Sequence, residues 1–237
     1  VAQGSYRPLP LRQNSIPKKS GGWRVLRVPT VRDRVVQQAL LNLLHPVLDP
    51  QFEPVSFAYR PGRSHKLAVQ QVTAWHRRGY DWLLDADIVS YFDRVNHVRL
   101  LAEVRERLGK RAEEGGRKRE EMWGGDFSQD KTPPPSVLHP PSFNAMALHH
   151  IHQWTALPTL TPAGLVLPER GIPQGSVVSP IYANDYLADF DEALQASRFK
   201  LVRFADDFVV MGRSRRQVEQ ARGRVGELLA GMGLELH

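Results

Sequence analysis

Two apolar runs in this chain carry carboxylates that a protein interior does not tolerate unaided. The first is Trp82-Leu83-Leu84-Asp85-Ala86-Asp87-Ile88, and the second, from Lys200 to Met211, reads KLVRFADDFVVM. Alternation puts Leu84, Ala86 and Ile88 on one face of a strand, with Leu83, Asp85 and Asp87 on the other. The second run reads as two short apolar strands joined at Asp206-Asp207, a β-hairpin with acids at its bend. An Asp-Asp pair is also what an ordinary β-turn takes, so the meaning of these acids depends on what surrounds them. A pair of hard cations would compensate them well, since Mg²⁺ prefers oxygen ligands and keeps positions open for water and phosphate.

The remaining segments alternate between helix and strand signals. Residues 6–29 hold two apolar-and-basic runs around Ser20-Gly21-Gly22, a hairpin with a cationic tip. Thr30 starts a helix with Asp33 as its capping partner, and Val31, Val35, Val36, Ala39, Leu40, Leu43 and Leu44 form the expected buried stripe up to Pro46 and Pro50. Ser64 caps a second helix faced by Leu67, Ala68, Val72 and Trp75. Asn96 caps a third, with Leu100, Leu101, Val104 and Leu108 inward. Residues 109–142 then break the pattern with charge runs and a proline-rich stretch, which reads as a surface insertion. Order is expected to resume near Phe143. A turn at Arg170–Gln174 leads into a helix faced by Val178, Tyr182, Ala183, Tyr186, Leu187, Phe190 and Leu194. Ser214 and Gln217 box the start of the last helix, and a short strand at Leu234–Leu236 follows it. This order predicts an α+β fold, an antiparallel sheet backed by helices on one side.

Composition narrows the chemistry. Cysteine is absent, so disulfides and thiolate metal sites are excluded and any metal takes oxygen or imidazole ligands. His149, His150 and His152 cluster locally with no acid beside them and read as helix or loop surface. The net charge of +7 favours polyanionic partners. Residues 1–34 are the most one-sided stretch, with Arg7, Arg12, Lys18, Lys19, Arg24, Arg27, Arg32 and Arg34 against Asp33 alone. No apolar run is long enough to cross a bilayer and no signal peptide opens the chain, so the expectation is a cytoplasmic protein without a membrane partner.

Five ordered blocks resemble the reverse transcriptase family, and most of all its bacterial group II intron-like branch. They are IPKKSGGWRVLRVPTVRDRVVQQAL from Ile16, SFAYRPGRS at Ser56–Ser64, DIVSYFD at Asp87–Asp93, RGIPQGS at Arg170–Ser176 running on to Pro180, and FADD at Phe204–Asp207; Gly233–Leu236 matches the start of a further strand. The resemblance implies the fingers and palm of a right-hand polymerase. Fingers would occupy residues 1–80 and 99–169, the latter carrying the insertion at about 109–142. Palm would occupy 81–98 and 170–237, with the chain stopping before the thumb.

The resemblance also implies roles. Asp87 and Asp206 would hold two Mg²⁺ ions, or Mn²⁺ in their place, with the Ile88 carbonyl as a third ligand and Asp207 contributing less directly to catalysis. Lys18 and Arg24 would grip a triphosphate, Phe92 would exclude a 2′-hydroxyl, and Gln174 and Gly175 would lie by the incoming nucleotide and template base. Arg60 and Arg63 would touch nucleic-acid backbone. Asp93 would support the turn into the Asn96 helix. The implied partners are an RNA template, a DNA or RNA primer and dNTPs, with intron RNA or a CRISPR adaptation integrase as the wider setting. Three departures stand out: Arg27 where the branch often has Gly, Ser176 for a frequent second Gly, and Phe204 for Tyr. The rival readings are an RNA-dependent RNA polymerase on the same palm, a non-catalytic RNA-binding or maturase-like module, and an unrelated two-metal nuclease.

Overall fold

The computed structural model describes residues 6–18, 21–122, 141–197 and 199–237. Two small sheets organise them. In the first, β1 (Leu11–Pro17) and β2 (Trp23–Val28) form the expected antiparallel hairpin, closed by the Lys18 amide donating to the Gly22 carbonyl at 3.0 Å. Two strands not anticipated from sequence, β4 (Thr159–Thr161) and β5 (Gly164–Val166), complete a sheet of order β2-β1-β4-β5, with β4 parallel to β1. They are three residues each, too short for alternation to register.

The second sheet has order β3-β7-β6, from β3 (Trp82–Ala86), β6 (Lys200–Phe204) and β7 (Asp207–Gly212), all antiparallel. Its edges are covered. Residues Val55–Phe57 run along β6, with Arg203 donating to the Val55 carbonyl and Phe57 to the Arg203 carbonyl, both at 2.9 Å. The C-terminal residues run along the continuation of β3, where Ile88 bridges Leu236 and the His237 amide donates to the Asp87 carbonyl at 2.8 Å. An edge paired in this way is no longer a template for unwanted association.

Helices lie on both faces of this sheet, where one was expected. Leu201, Phe208 and Val210 join the main core with α7 (Ala188–Gln195) and α8 (Arg215–Gly231). Val202 and Val209 pack instead with Ala68, Val72 and Trp75 of α2 (His65–His76), on the same face as Asp85 and Asp207. The capping residues perform as read: Thr30 for α1 (Val31–Leu48), Ser64 for α2 and Ser214 for α8 each accept an amide from the third residue on. The buried stripe of α1 is corrected. Val31, Val35 and Leu43 are exposed, and Asp33, Gln37, Leu40, Leu44, Val47 and Leu48 are buried. Asp33 is drawn inward by Tyr6 and Thr30 hydroxyls at 2.8 and 2.6 Å, which rotates the inward face away from the valines. Pro46 does not end α1, which runs on to Leu48.

A short helix, α3 (Tyr91–Arg94), precedes α4 (His97–Met122), which Asn96 caps through its side chain to the Arg99 amide. The helix continues into the stretch read as an insertion, since Ala, Glu, Lys and Arg propagate a helix well. Residues 123–140 lie outside the described residues. The chain continues as α5 (Pro141–Thr155). The single helix expected after Val178 is two, α6 (Ser179–Tyr186) and α7, broken at Leu187. His150, expected at the surface, is buried: its ring stacks on Trp154 and meets the edge of Tyr6.

Two buried polar clusters lock the layers together. Arg203, fully buried, donates from Nε and Nη2 to both Asp191 oxygens at 2.7 and 2.5 Å, and also to Asn184 Oδ1, Ser56 Oγ and the Ala205 carbonyl. Removing one partner of such a pair leaves a buried charge uncompensated. Arg203→Met should therefore lower stability by about 3–5 kcal/mol in urea unfolding; a loss below about 1 kcal/mol would show the network to be dispensable.

The second cluster joins α4 to α6 and α7. Burial pushes Glu103 up to about 7, against the pull of Arg99, whose Nε donates to it at 2.6 Å. Burial likewise pushes Asp185 up to about 8, against Arg107 with its Nε 3.1 Å away; Asp189 faces both carboxyls. A folded state that keeps protons the unfolded chain has released is most stable below the unfolded value and loses that stability as pH rises through the folded one. Thermal stability should fall between pH 5 and pH 8. Glu103→Gln should recover about 1–3 kcal/mol of that loss, read from melting curves at the two pH values.

Candidate active site

A cleft of about 500 Å³ opens between the two sheets. One wall comes from the β1–β2 hairpin, through Lys18, Trp23, Arg24 and Leu26, and the other from Asp87, Ile88, Ser90, Phe92 and Asp206. Tyr59, Gln174 and Gly175 close the ends. All eight of the residues singled out from sequence as metal or nucleotide contacts, Lys18, Arg24, Asp87, Ile88, Phe92, Gln174, Gly175 and Asp206, line this one cleft.

The local backbone explains how they arrive there. Ile88 is anchored at 1 % exposure and its neighbour Asp87 is tied through its carbonyl to His237, so the Asp87 side chain leaves the strand end toward the cleft. Tyr91 is buried and donates its hydroxyl to the Ala183 carbonyl, which leaves Phe92, next in line, as the half-buried ring facing the opening. The loop 170–175 is laced to the same segment: Gly171 donates to Val95 and Ile172 to Phe92, both at 2.7 Å. At Gly171 (φ +91) a β-carbon would lie 2.9 Å from the Phe92 and Asp93 carbonyl oxygens, so no side chain fits. The Gln174 carbonyl accepts from the Arg27 amide at 2.7 Å, which fixes this loop to β2.

Backbone strain concentrates here. Among the described residues, the non-glycine positions with positive φ are Tyr59 (φ 60), Ser90 (φ 49) and Ala205 (φ 63). Tyr59 and Ser90 line the cleft, and Ala205 sets the bend that presents Asp206. Such conformations cost about 1–3 kcal/mol each and persist only where surrounding structure imposes them. At Ala205 the imposing group is Arg203, whose Nη1 holds the Ala205 carbonyl at 2.9 Å.

The electrostatics are those of an uncompensated acidic site facing free cations. Burial, then the Asp87 and Asp207 charges, raises Asp206 above the usual carboxylate range, and Arg24 pulls it back only partly. Burial, then Asp87 and Asp85, raises Asp207. Among the described residues, no Lys or Arg forms an ion pair with Asp87, Asp206 or Asp207. Asp207 does not line the cleft; it shares its surroundings with Asp85. Among the described residues no three His, Cys, Asp or Glu side chains stand close enough to hold an ion, so the acids do not converge as a three-carboxylate cage. The donor set in the cleft is two carboxylates, Asp87 and Asp206, with the Ile88 backbone beside them. That all-oxygen set fits Mg²⁺, which binds through one or two carboxylates plus water and substrate phosphate.

Two expectations are revised. Arg60 is 9 % exposed and fully engaged inside the protein, donating to Asp49 Oδ1 and to the carbonyls of Asp49, Phe52, Glu53 and Ser56. It shapes the 49–60 loop and is not free to touch nucleic acid. Asp93 does not serve the turn before α4 alone: its carboxylate takes Arg27 Nη2 at 2.5 Å, joining the two walls of the cleft. Arg63 stands apart from the cleft, over the Phe57 ring. Tyr59, Ser90 and the Arg27–Asp93 link were not picked out as site residues. The sequence signals for them were their places in the SFAYRPGRS and DIVSYFD blocks and the unusual Arg27.

Comparison with known proteins gives the chain a family. Residues 16–113 and 136–237 match the family described as Reverse transcriptase (RNA-dependent DNA polymerase). The chain is similar to Protein YkfC of Escherichia coli K12, at 31% identity over 82% of this chain and 43% of the relative. It is also similar to the group II intron-encoded protein LtrA of Lactococcus lactis, at 27% identity over 86% of this chain and 28% of the relative. It thus spans less than half the length of either. A solved telomerase from Candida albicans shares the fold with a TM-score of 0.62 at 14% identity, covering 100% of this chain and 43% of that one. Matched over most of its length, the chain belongs to the reverse transcriptase family, and group II intron-encoded proteins are among the relatives it resembles.

Proposed function

We propose that this cleft is the polymerase centre of an RNA-directed DNA polymerase that extends a primer 3′-hydroxyl with dNTPs on an RNA template. The observation that carries the reading is the pairing of Asp87 and Asp206, carboxylates from distant segments that form no ion pair among the described residues, across one cleft from Lys18 and Arg24, which form none there either. In family terms the β1–β2 sheet is the fingers and the β3-β7-β6 sheet the palm.

Each wall then has a task. Lys18 and Arg24 clamp the triphosphate, their charge meeting the charge that builds on the phosphoryl group. Phe92 sets a hydrocarbon wall under the sugar, where an extra hydroxyl has no partner and no room. Gln174 and Gly175 lie by the nascent base pair; Gly175 takes φ +107, a backbone conformation that residues with side chains rarely adopt, so this turn beside β2 depends on glycine. Asp87, Asp206 and the Ile88 carbonyl hold the metal, with Asp207 adding to the local negative field. Two Mg²⁺ ions, or Mn²⁺, supply activation of the 3′-hydroxyl and stabilisation of the leaving pyrophosphate when bound. Arg63 is the remaining candidate for a contact to nucleic-acid backbone. The wider partner, intron RNA or a CRISPR adaptation integrase, is separable by co-purification from the native host.

Primer extension on an RNA template with Mg²⁺ tests the reading. Asp206→Ala should reduce extension by roughly a thousandfold with an unchanged melting temperature. Equal extension by both proteins would refute the assignment, and RNA binding without extension by the unaltered protein would favour a non-catalytic maturase-like module. Phe92→Ala should raise incorporation of NTPs relative to dNTPs by roughly tenfold, measured as the ratio of kcat/KM values. An unaltered protein that prefers NTPs would indicate an RNA-dependent RNA polymerase.

A further inference from the structure

A second charged feature lies on the same face of the β3-β7-β6 sheet, at the end away from the acids. Helix α2 spans the two. At its start the His65 ring meets Phe204, next to the acidic bend, and at its end Trp75 meets Lys200, the first residue of β6. From 65 to 75 is ten residues, about 15 Å at the helical rise, so a ligand filling the acidic cleft does not reach the far end.

Three cations converge there on two rings. Trp75 and Tyr80 stand edge to face with centroids 5.5 Å apart. Arg78 lies over Trp75 at 4.9 Å, Lys200 over Trp75 at 4.9 Å and over Tyr80 at 5.9 Å, and Arg213 over Tyr80 at 4.6 Å. The turn at Gly79 (φ +81) runs beside the Arg213 guanidinium, which lies 3.5 Å from an ideal β-carbon position there, an ordinary contact. Cation–π contact holds these side chains in place but does not cancel their charge. Among the described residues, none of the three forms an ion pair with a carboxylate. Asp81, next in sequence to Tyr80, meets His76 Nδ1 at 2.9 Å. Three cations against the single neighbouring carboxylate of Asp81 leave this patch net positive, which favours a polyanion. Because their own cations already cover the rings, base stacking of the kind seen in single-strand grooves is not on offer. The contact would be to phosphates and so independent of sequence.

We propose that Arg78, Lys200 and Arg213 form a second nucleic-acid contact, a phosphate-binding surface for single-stranded RNA of the template lying outside the polymerase cleft. The assignment of the strand as template rests on the polymerase reading above. The binding itself is tested separately from it.

The experiment compares the full chain with an Arg78→Gln, Lys200→Gln, Arg213→Gln triple variant. Binding is measured by fluorescence anisotropy on two labelled RNA–primer duplexes, one with a template overhang of a few nucleotides and one with a long overhang, across a range of salt. On the long overhang the variant should bind roughly tenfold or more weakly, and the slope of log K against log salt should shrink by about 2, three single-strand phosphates at about 0.7 each. On the short overhang, affinity and extension rate should stay as in the unaltered protein. An Arg78→Lys, Lys200→Arg, Arg213→Lys variant keeps the charge and should restore long-overhang binding. Unchanged affinity and slope on the long overhang would overturn the proposal. So would an equal loss on both substrates, or failure of the charge-keeping variant to rescue while its melting temperature is normal. Asp206→Ala should bind the long overhang as the unaltered protein does; if it also extends primers, the polymerase reading falls while the phosphate surface stands.

Discussion

The buried pair between Arg203 and Asp191 is the interaction on which the site depends. Its guanidinium touches all the parts: Asp191 on α7, Asn184 on α6, Ser56 on the covering edge segment and the Ala205 carbonyl at the bend. Five donors in a fixed planar fork suit this task, and a lysine in its place could not reach in so many directions. A charge with no exposure is affordable only because both Asp191 oxygens meet it. The bend at Ala205 is strained, and the same fork that stabilises the interior holds that strain in place. Core electrostatics and site geometry are therefore one structure.

The cleft is the inverse case. Its acids have neighbours of like sign, while its cations, Lys18 and Arg24, stand on the opposite wall in no ion pair among the described residues. The interior pairs its charges and the cleft keeps them apart. The cleft leaves both signs available, and the repulsion between Asp87 and Asp206 is borne by the segments on either side. The Arg27–Asp93 contact is the exception that joins the walls, and it lies at the rim where it leaves the centre open.

Much of this was legible from residues alone, for identifiable reasons. Helix caps at Thr30, Ser64, Asn96 and Ser214 are local devices, so local sequence reveals them. The FADD hairpin and the Asp87 strand announce themselves because acids in apolar runs are rare. Other features depend on contacts far along the chain. Nothing near Arg60 says that five internal acceptors await it, and nothing near Val31 or Val35 says that Asp33 will turn inward in their place. Strands β4 and β5 exist because β1 offers an edge, and the break at Leu187 follows from packing on both neighbours. The folded positions of Tyr59 and Ser90 are visible only as backbone angles.

The edges of the β3-β7-β6 sheet have a temporal consequence. One is covered by residues near Ser56, which meets Arg203 across 147 positions of sequence. The other is covered by Leu236, reaching back to Ile88. Contacts of such long range close late and slowly, because the intervening chain must be ordered first. During synthesis, the basic N-terminal hairpin is therefore exposed well before the acidic bend has any partner. A growing chain therefore presents its basic hairpin long before the edges that frame the acidic bend are closed.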